Sequence, residues 1–519
     1  MKALLLTWKA NKLEGSMKLC FLAAVFASFF GTAILSFSVP GVGEVYPFRV
    51  LLLVTAILYF VWCIRGKDPF WKSSSWLEKW CYILIASTLV YSTISLLWAM
   101  DFMFSFRRWF NLCFDLCFFF LLLRLCREKE FLKVTMIVTL AAAAIVALMG
   151  FYEVFNGGIF SSENDGTTWF AVFMKYYQHP KTCFTSSNEF SATLVLIGSV
   201  VLLGWALRKR KDIPVWQVWV IIFSIPFVWF LLLASAARLC QIAFLIVLVG
   251  FMVYMFFRNW KKGMLLLIAV LLVGCVQFAH QYRDIVPPLQ KYLAEMKEYR
   301  EQMAGLSTTP PPASPTAESV VTPPSTEAPT VPKPTLNIDG LNPGLKEEEF
   351  LIKDKETGKT SINQSASGGI RLGLLLHAFR CFTDSYGLGC GLGNTEQLAL
   401  ANKVVGNEKT GYFYSIHCFV ARIIADCGIF VLIPLCAIAF LLLKKGWRLF
   451  VSGMKARSWE SVGLSFLYVC CLLAFPLAST ASSDAQDLHP MWIYLATIVL
   501  FASLDFGRNC PQNELTGNN

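Results

Sequence analysis

The stretch GYFYSIHCFVARIIADCGIFVLIPLC, residues 411–436, combines reactive groups with hydrocarbon. From Phe419 onward it reads as the start of a membrane span, yet His417 stands at its mouth and Arg422 and Asp426 lie inside. A charged group at mid-bilayer costs about 2.5–3.5 kcal/mol on insertion scales, so such residues ask for a reason. A neutral imidazole such as His417 takes a proton from a hydroxyl near neutral pH; the plainer alternative is a histidine anchoring a helix end at the interface. Arg422 and Asp426 are four apart on one helical face, where an internal ion pair would make insertion cheaper.

Earlier in the chain one arginine stands apart from acidic neighbours, and a second, Arg371, would alone be an ordinary surface arginine. In LLLASAARLCQIAFLIVLVG, Arg238 sits in or beside hydrocarbon among small residues. Guanidinium binds phosphate oxygens through a planar fork and keeps its charge in a dry site. Arg238 therefore suggests an anionic lipid head group, against simple snorkelling to the interface. Arg371 opens a second ordered segment, GGIRLGLLLHAFRCFTDS, whose Leu374, Leu375, Ala378, Phe379 and Phe382 fall at helical spacing. YGLGCGLGN follows, and its Gly389 and Gly391 predict a tight turn whose backbone approaches something closely; with no preceding strand it is not a dinucleotide site. TEQLALANKVV reads as a short helix. In CFTSSNEFSATLVL, Asn188 opens another apolar helix, either as its N-cap or as a hydrogen-bonding group for a sugar, with capping the favoured reading.

The elements that carry these residues belong in a bilayer. The chain is 56% hydrophobic and only 15% charged, with a mean hydropathy of +0.56, where soluble domains average about 25% charged. Twelve apolar segments, near 19–39, 47–64, 81–100, 109–125, 132–151, 188–207, 215–234, 237–257, 263–280, 417–443, 460–478 and 489–506, read as transmembrane helices. The expected fold is all-α and polytopic, with one large extracytoplasmic loop between the ninth and tenth helices. Lys and Arg concentrate on alternate connections (Arg208-Lys209-Arg210-Lys211 and Lys444, Lys445, Arg448 among them), which places both termini in the cytoplasm. The first span is too long for a signal peptide core and is taken as retained. The net charge of +11 follows from these connections and does not indicate nucleic acid.

Residues 1–280 then hold nine helices, 281–416 the loop, 417–506 three helices and 507–519 a cytoplasmic tail. Within the loop, 284–303 is amphipathic, 307–335 is a Pro/Thr-rich spacer that cannot bury a core, and 368–410 is an ordered helical part. All five histidines (His179, His280, His377, His417, His489) fall on or near the outer face of this topology. Most of the 17 cysteines lie in spans as small apolar residues, and no Cys/His spacing suggests a metal. Cys381 and Cys390 lie outside, where pairing is left open.

Taken together, FTSSNEFSA, SAARLCQIAF, GGIRLGLLLHAFRCFTDSYGLGCGLGN and SIHCFVARIIADCGIF resemble, in this order, the signature segments of the O-antigen ligase family and its relatives, the lipid-linked polysaccharide polymerases. The resemblance covers roughly 184–430 and reaches the N-terminal helices by topology only. It departs at Cys418, where the family usually has Asn, and after Arg371, where many members have Trp. It implies an inverting, metal-independent glycosyltransferase without cofactor. The donor would be a glycan on undecaprenyl diphosphate and the acceptor a hydroxyl of a glycan or glycolipid. Transfer would occur on the outer face of a bacterial cytoplasmic membrane, in cell-surface polysaccharide biosynthesis. It gives His417 the acceptor hydroxyl and Arg238, Arg371 and Arg422 the diphosphate, with Asn188, Gly389 and Gly391 as further substrate contacts. The competing expectation is a twelve-helix transporter or lipid-linked glycan flippase. Against it, no six-helix repeat and no matched pair of broken spans is evident. A membrane protein without catalysis is the third.

Overall fold

A computed structural model describes residues 11–30, 37–39, 43–66, 74–156, 182–184, 186–208, 213–235, 237–306, 351–353, 360–362, 366–407, 411–412, 414–416, 418–480 and 488–503. The spacer 307–335, the tail 507–519 and His417 lie outside the described residues. The helices run, in order, α1 (Lys12–Ala27), α2 (Pro47–Gly66), α3 (Trp76–Ser95), α4 (Phe102–Leu125), α5 (Lys129–Asn156), α6 (Ser187–Ala206), α7 (Val215–Ala234) and α8 (Arg238–Leu306). Then follow α9 (Ala366–Asp384), α10 (Asn394–Ala401), α11 (Phe419–Cys427), α12 (Ile429–Lys455), α13 (Trp459–Ser479) and α14 (His489–Ser503). Three antiparallel pairs of two- or three-residue strands occur between helices, β1 (Phe37–Val39) with β2 (Gly43–Val45), β3 (Leu351–Lys353) with β4 (Thr360–Ile362), and β5 (Gly406–Asn407) with β6 (Gly411–Tyr412).

Among the described residues, eight helical stretches are long and apolar enough to cross a membrane: α2, α3, α5, α6, α7, Arg238–Val276 of α8, α12 and α13. The chain is thus a polytopic membrane-spanning protein. α4 has the length but carries Arg107, Arg108, Asp115 and Arg124, while α1 and α14 are shorter, at 16 and 15 residues. The 39-residue stretch of α8 is about twice the bilayer core in length. Asn259 divides it: the backbone there leaves the helical region, and its side chain accepts a hydrogen bond from Lys262 N at 3.4 Å, starting the helix afresh.

Two spans differ from expectation. The first helix occupies Lys12–Ala27 rather than 19–39, because Asn11 caps it early and the chain is extended again at Phe37–Val39. The pair around Arg238 is, as expected, two helices, α7 ending at Ser235 and α8 starting at Arg238. The segment 417–443 is not one span: Gly428 (φ 63°, ψ −145°) splits it into α11 and α12. That conformation is open to glycine alone, and the break separates Arg422 and Asp426 from the hydrocarbon-length helix.

The chain forms two compact units, 1–270 with 367–519, and 271–366. The ordered segment after 367 therefore belongs with the helical bundle, not with the rest of the expected loop. At the centre of the first unit α6 and α14 lie side by side, and α6 also packs on α5, α7 and α13. Their side chains are buried nearly all round, which is why neither shows a polar stripe. In the second unit the expected amphipathic segment 284–303 is helical, as the continuation of α8.

Candidate functional site

At one end of the bundle α9, the glycine turn, α10 and α11 make a headpiece. Its glycines explain one another. Gly387, Gly389, Gly391 and Gly393 all have positive φ, and they bring the turn onto the end of α11. Cys390 N donates to Ala425 O at 3.0 Å, and Gly391 N donates to Asp426 O at 2.9 Å. These are carbonyls that a helix end leaves without intrahelical partners. A Cβ on Gly389 would stand 2.5 Å from Asp426 O, and one on Gly391 2.7 Å from Trp98 Nε1. The close approach expected at this turn is thus made to protein, namely α11 and the end of α3. Tyr91 and Trp98 complete the docking, donating to the carbonyls of Gly389 (2.8 Å) and Cys390 (3.2 Å).

Asp426 closes the other side. Its carboxylate accepts from Thr395 Oγ1 at 2.5 Å and from the backbone N–H of Gly393 at 3.2 Å. Gly393 provides no side-chain cap for α10, so Asp426 supplies one from a different helix, where the dipole favours a negative charge. Burial pushes the Asp426 carboxyl up to about 6, while the Thr395 hydroxyl and the Arg422 charge work in the opposite direction. The ion pair of Arg422 is with Glu396, at 3.2 Å, and Arg108 of α4 meets the second oxygen of Glu396 at 3.0 Å. Glu396 and Arg422 are 1% and 2% exposed. Arg422, expected at the diphosphate, therefore has an internal role: it holds α11 to α10. Beside the influence of the Arg422 charge on the Asp426 carboxyl, Arg422 thus pairs with Glu396 and Asp426 bonds to Thr395 and the Gly393 N–H.

His377 lies on the inner face of α9, its Nε2 3.0 Å from Thr395 O and 3.5 Å from Cys381 Sγ. Cys381 and Cys390 are both free thiols, and Cys390 Sγ lies 3.0 Å from Thr395 Oγ1.

A second cluster forms where α6, α8 and α9 begin. Ser186, not Asn188, caps α6, accepting from Glu189 N at 3.3 Å. The capping expected of Asn188 is thereby overturned, since its neighbour already fills that place. Its carbonyl lies 3.9 Å from Cys240 Sγ, in the first turn of α8. Arg371, half-buried in the first turns of α9, has its charge beside the same thiol. Arg238 is exposed at the first residue of α8. Asn188 and Arg371, far apart in sequence, thus both lie near Cys240, and Arg238 stands two residues before that thiol on α8. Burial lowers the Arg371 pKa from its ordinary value, with the Cys240 thiol acting the other way. Among the described residues no carboxylate pairs with Arg371 or Arg238 and no group bonds the Asn188 side chain. A half-buried guanidinium such as that of Arg371 suits an oxyanion.

Sequence reasoning passed over Glu396, Thr395 and Arg108. Glu396 was visible only as a charge in a short polar helix, and its burial depends on two arginines from distant segments. No family model, curated protein or solved structure matches the chain.

Proposed function

We propose that the protein is an O-antigen ligase-like glycosyltransferase. It transfers a glycan from undecaprenyl diphosphate to an acceptor hydroxyl on the outer face of a bacterial cytoplasmic membrane. The observation that carries this reading is Arg371: partly desolvated, without an acidic partner among the described residues, and near the same Cys240 thiol as the Asn188 carbonyl. In this reading the eight apolar stretches, with α8 divided at Asn259 and α1, α4 and α14 added, would make twelve crossings and leave both termini cytoplasmic.

In this reading Arg238 and Arg371 hold the diphosphate. The acceptor oxygen attacks the anomeric carbon while the bond to the diphosphate oxygen breaks, so the configuration inverts. His417 takes the hydroxyl proton. The charge left on the diphosphate is met by the two guanidinium groups, a role that grows as the bond breaks. Arg422, with Glu396 and Arg108, ties α11 to α10 and α4. Purified protein in vesicles, given undecaprenyl-diphosphate-linked glycan and an acceptor glycan, tests the proposal. Release of undecaprenyl diphosphate with growth of the acceptor supports it. An untouched donor across a panel of acceptors, or donor that only changes leaflet, turns the reading toward transport.

A further inference from the structure

The two thiols of the headpiece are placed for chemistry of their own. Cys381 follows His377 by four residues, on the same face of α9. The glycine turn brings Cys390 back to it, so that the two thiols hydrogen-bond each other. His377 Nε2 lies 3.0 Å from Thr395 O. A carbonyl oxygen only accepts, so this nitrogen carries the proton. The same N–H then faces Cys381 Sγ at 3.5 Å, and such a donor favours a thiolate over a thiol. Cys390 Sγ meets Thr395 Oγ1 at 3.0 Å and stands 4.0 Å from Asp426 Oδ1, where a carboxylate disfavours a second negative charge. The Cys390 contact and the His377 imidazole accordingly lower the Cys381 pKa against burial and the Asp384 charge. The Cys381 contact, burial and Asp426 raise that of Cys390. One sulfur of the pair is thus poised as a nucleophile, and its neighbour is kept as a thiol.

We propose that Cys381 and Cys390 form a dithiol site oxidised by a hydroperoxide, with Cys381 as the attacking sulfur and Cys390 as the resolving one. Cys381 is 7% exposed, which suits a small hydroperoxide better than a bulky disulfide. The Cys381 thiolate attacks one peroxide oxygen and the O–O bond breaks, leaving a sulfenic acid on Cys381. The departing hydroxide takes up the proton that the Cys381 thiol had released and becomes water. The Cys390 sulfur then attacks Cys381 Sγ, the S–O bond breaks, and the leaving hydroxide takes the Cys390 proton. Two thiols and one hydrogen peroxide thus give one disulfide and two waters. The new bond would staple the last turns of α9 to the glycine turn held on α11. The outer-face orientation, where a disulfide persists, rests on the proposed function; the sulfur chemistry does not.

Full-length protein in detergent, reduced, freed of reductant and treated with hydrogen peroxide at pH 7, tests it. The remaining thiols are alkylated and the peptides mapped by mass spectrometry. Wild type is expected to lose the Cys381 and Cys390 thiols together, as one cross-linked peptide. The reaction is expected to run about tenfold or more faster than oxidation of N-acetylcysteine, the gain from a thiol already ionised at pH 7. Cys390→Ser lacks the resolving sulfur and is expected to stop at a sulfenic acid on Cys381 that dimedone captures. His377→Ala is expected to slow the reaction of Cys381 by about tenfold, and His377→Gln, which keeps an N–H donor, to restore part of it. Cross-linking in wild type no faster than oxidation of N-acetylcysteine overturns the proposal. So does oxidation of Cys390 at the wild-type rate in Cys381→Ser. The readout is sulfur alone, so its failure leaves the glycan-transfer reading standing, and a protein without transferase activity that still cross-links leaves the thiol site standing.

Discussion

Asp426 is a carboxylate placed where its charge is useful to α10 and costly to bury. Its pKa is raised to about 6 in the folded headpiece, so folding favours the protonated form. The resulting stabilisation is complete below about pH 4, the unfolded value, and is lost as pH rises through 6. The melting temperature of the purified protein is therefore expected to fall more between pH 5 and pH 7.5 in wild type than in Asp426→Asn. Equal pH dependence in the two would contradict the assignment. Glu396 makes the opposite case, a buried negative charge shared by Arg108 and Arg422. Glu396→Gln leaves both cations without it and is expected to cost about 3–5 kcal/mol, read as a lower denaturation midpoint and faster proteolysis between α9 and α11. An unchanged midpoint would show that the pair is replaceable.

At the scale of elements, the break at Gly428 decides what the charged residues are for. An added Cβ there would lie 2.2 Å from the Leu388 carbonyl carbon, in a backbone conformation closed to alanine. Gly428→Ala is expected to undock the glycine turn and expose it to protease, whereas Gly198→Ala, whose Cβ meets only the Phe244 ring at 3.8 Å, leaves the melting curve within about 0.5 kcal/mol of wild type. Much of this level was legible in the sequence. The apolar runs marked most of the spans, the spacing of Leu374, Ala378 and Phe382 marked α9, and the glycine run marked a tight turn. The break at Gly428 was hidden because apolar residues continue across it, and a hydropathy window averages over a single φ. The capping of α6 by Ser186 was likewise hidden among adjacent Ser, Ser and Asn, each able to cap. The pairing of Glu396 with Arg108 depends on a fold that joins α4 to α10, which no local pattern reports.

For the whole molecule, composition alone established a membrane-spanning protein, and the structure adds which residues meet at one end. The proposed twelve crossings predict that the N- and C-termini share a side and that the glycine turn faces the other. Cysteine-reactive probes that do not cross membranes test this with single cysteines placed near each terminus and at Thr383 in a cysteine-depleted chain. Labelling of the headpiece and of a terminus from the same side would contradict the topology. The central claim concerns Arg371, the half-buried cation near Cys240. The most direct measurement is the rate of glycan transfer from undecaprenyl diphosphate by Arg371→Ala, Arg371→Lys and Arg380→Ala, each confirmed as folded. Arg380 lies on the same helix, beyond His377, and serves as a charge-matched control. The account predicts a loss of a hundredfold or so for Arg371→Ala, about 2.7 kcal/mol of transition-state stabilisation, a smaller loss for Arg371→Lys, and little change for Arg380→Ala. Wild-type rates in Arg371→Ala would contradict it.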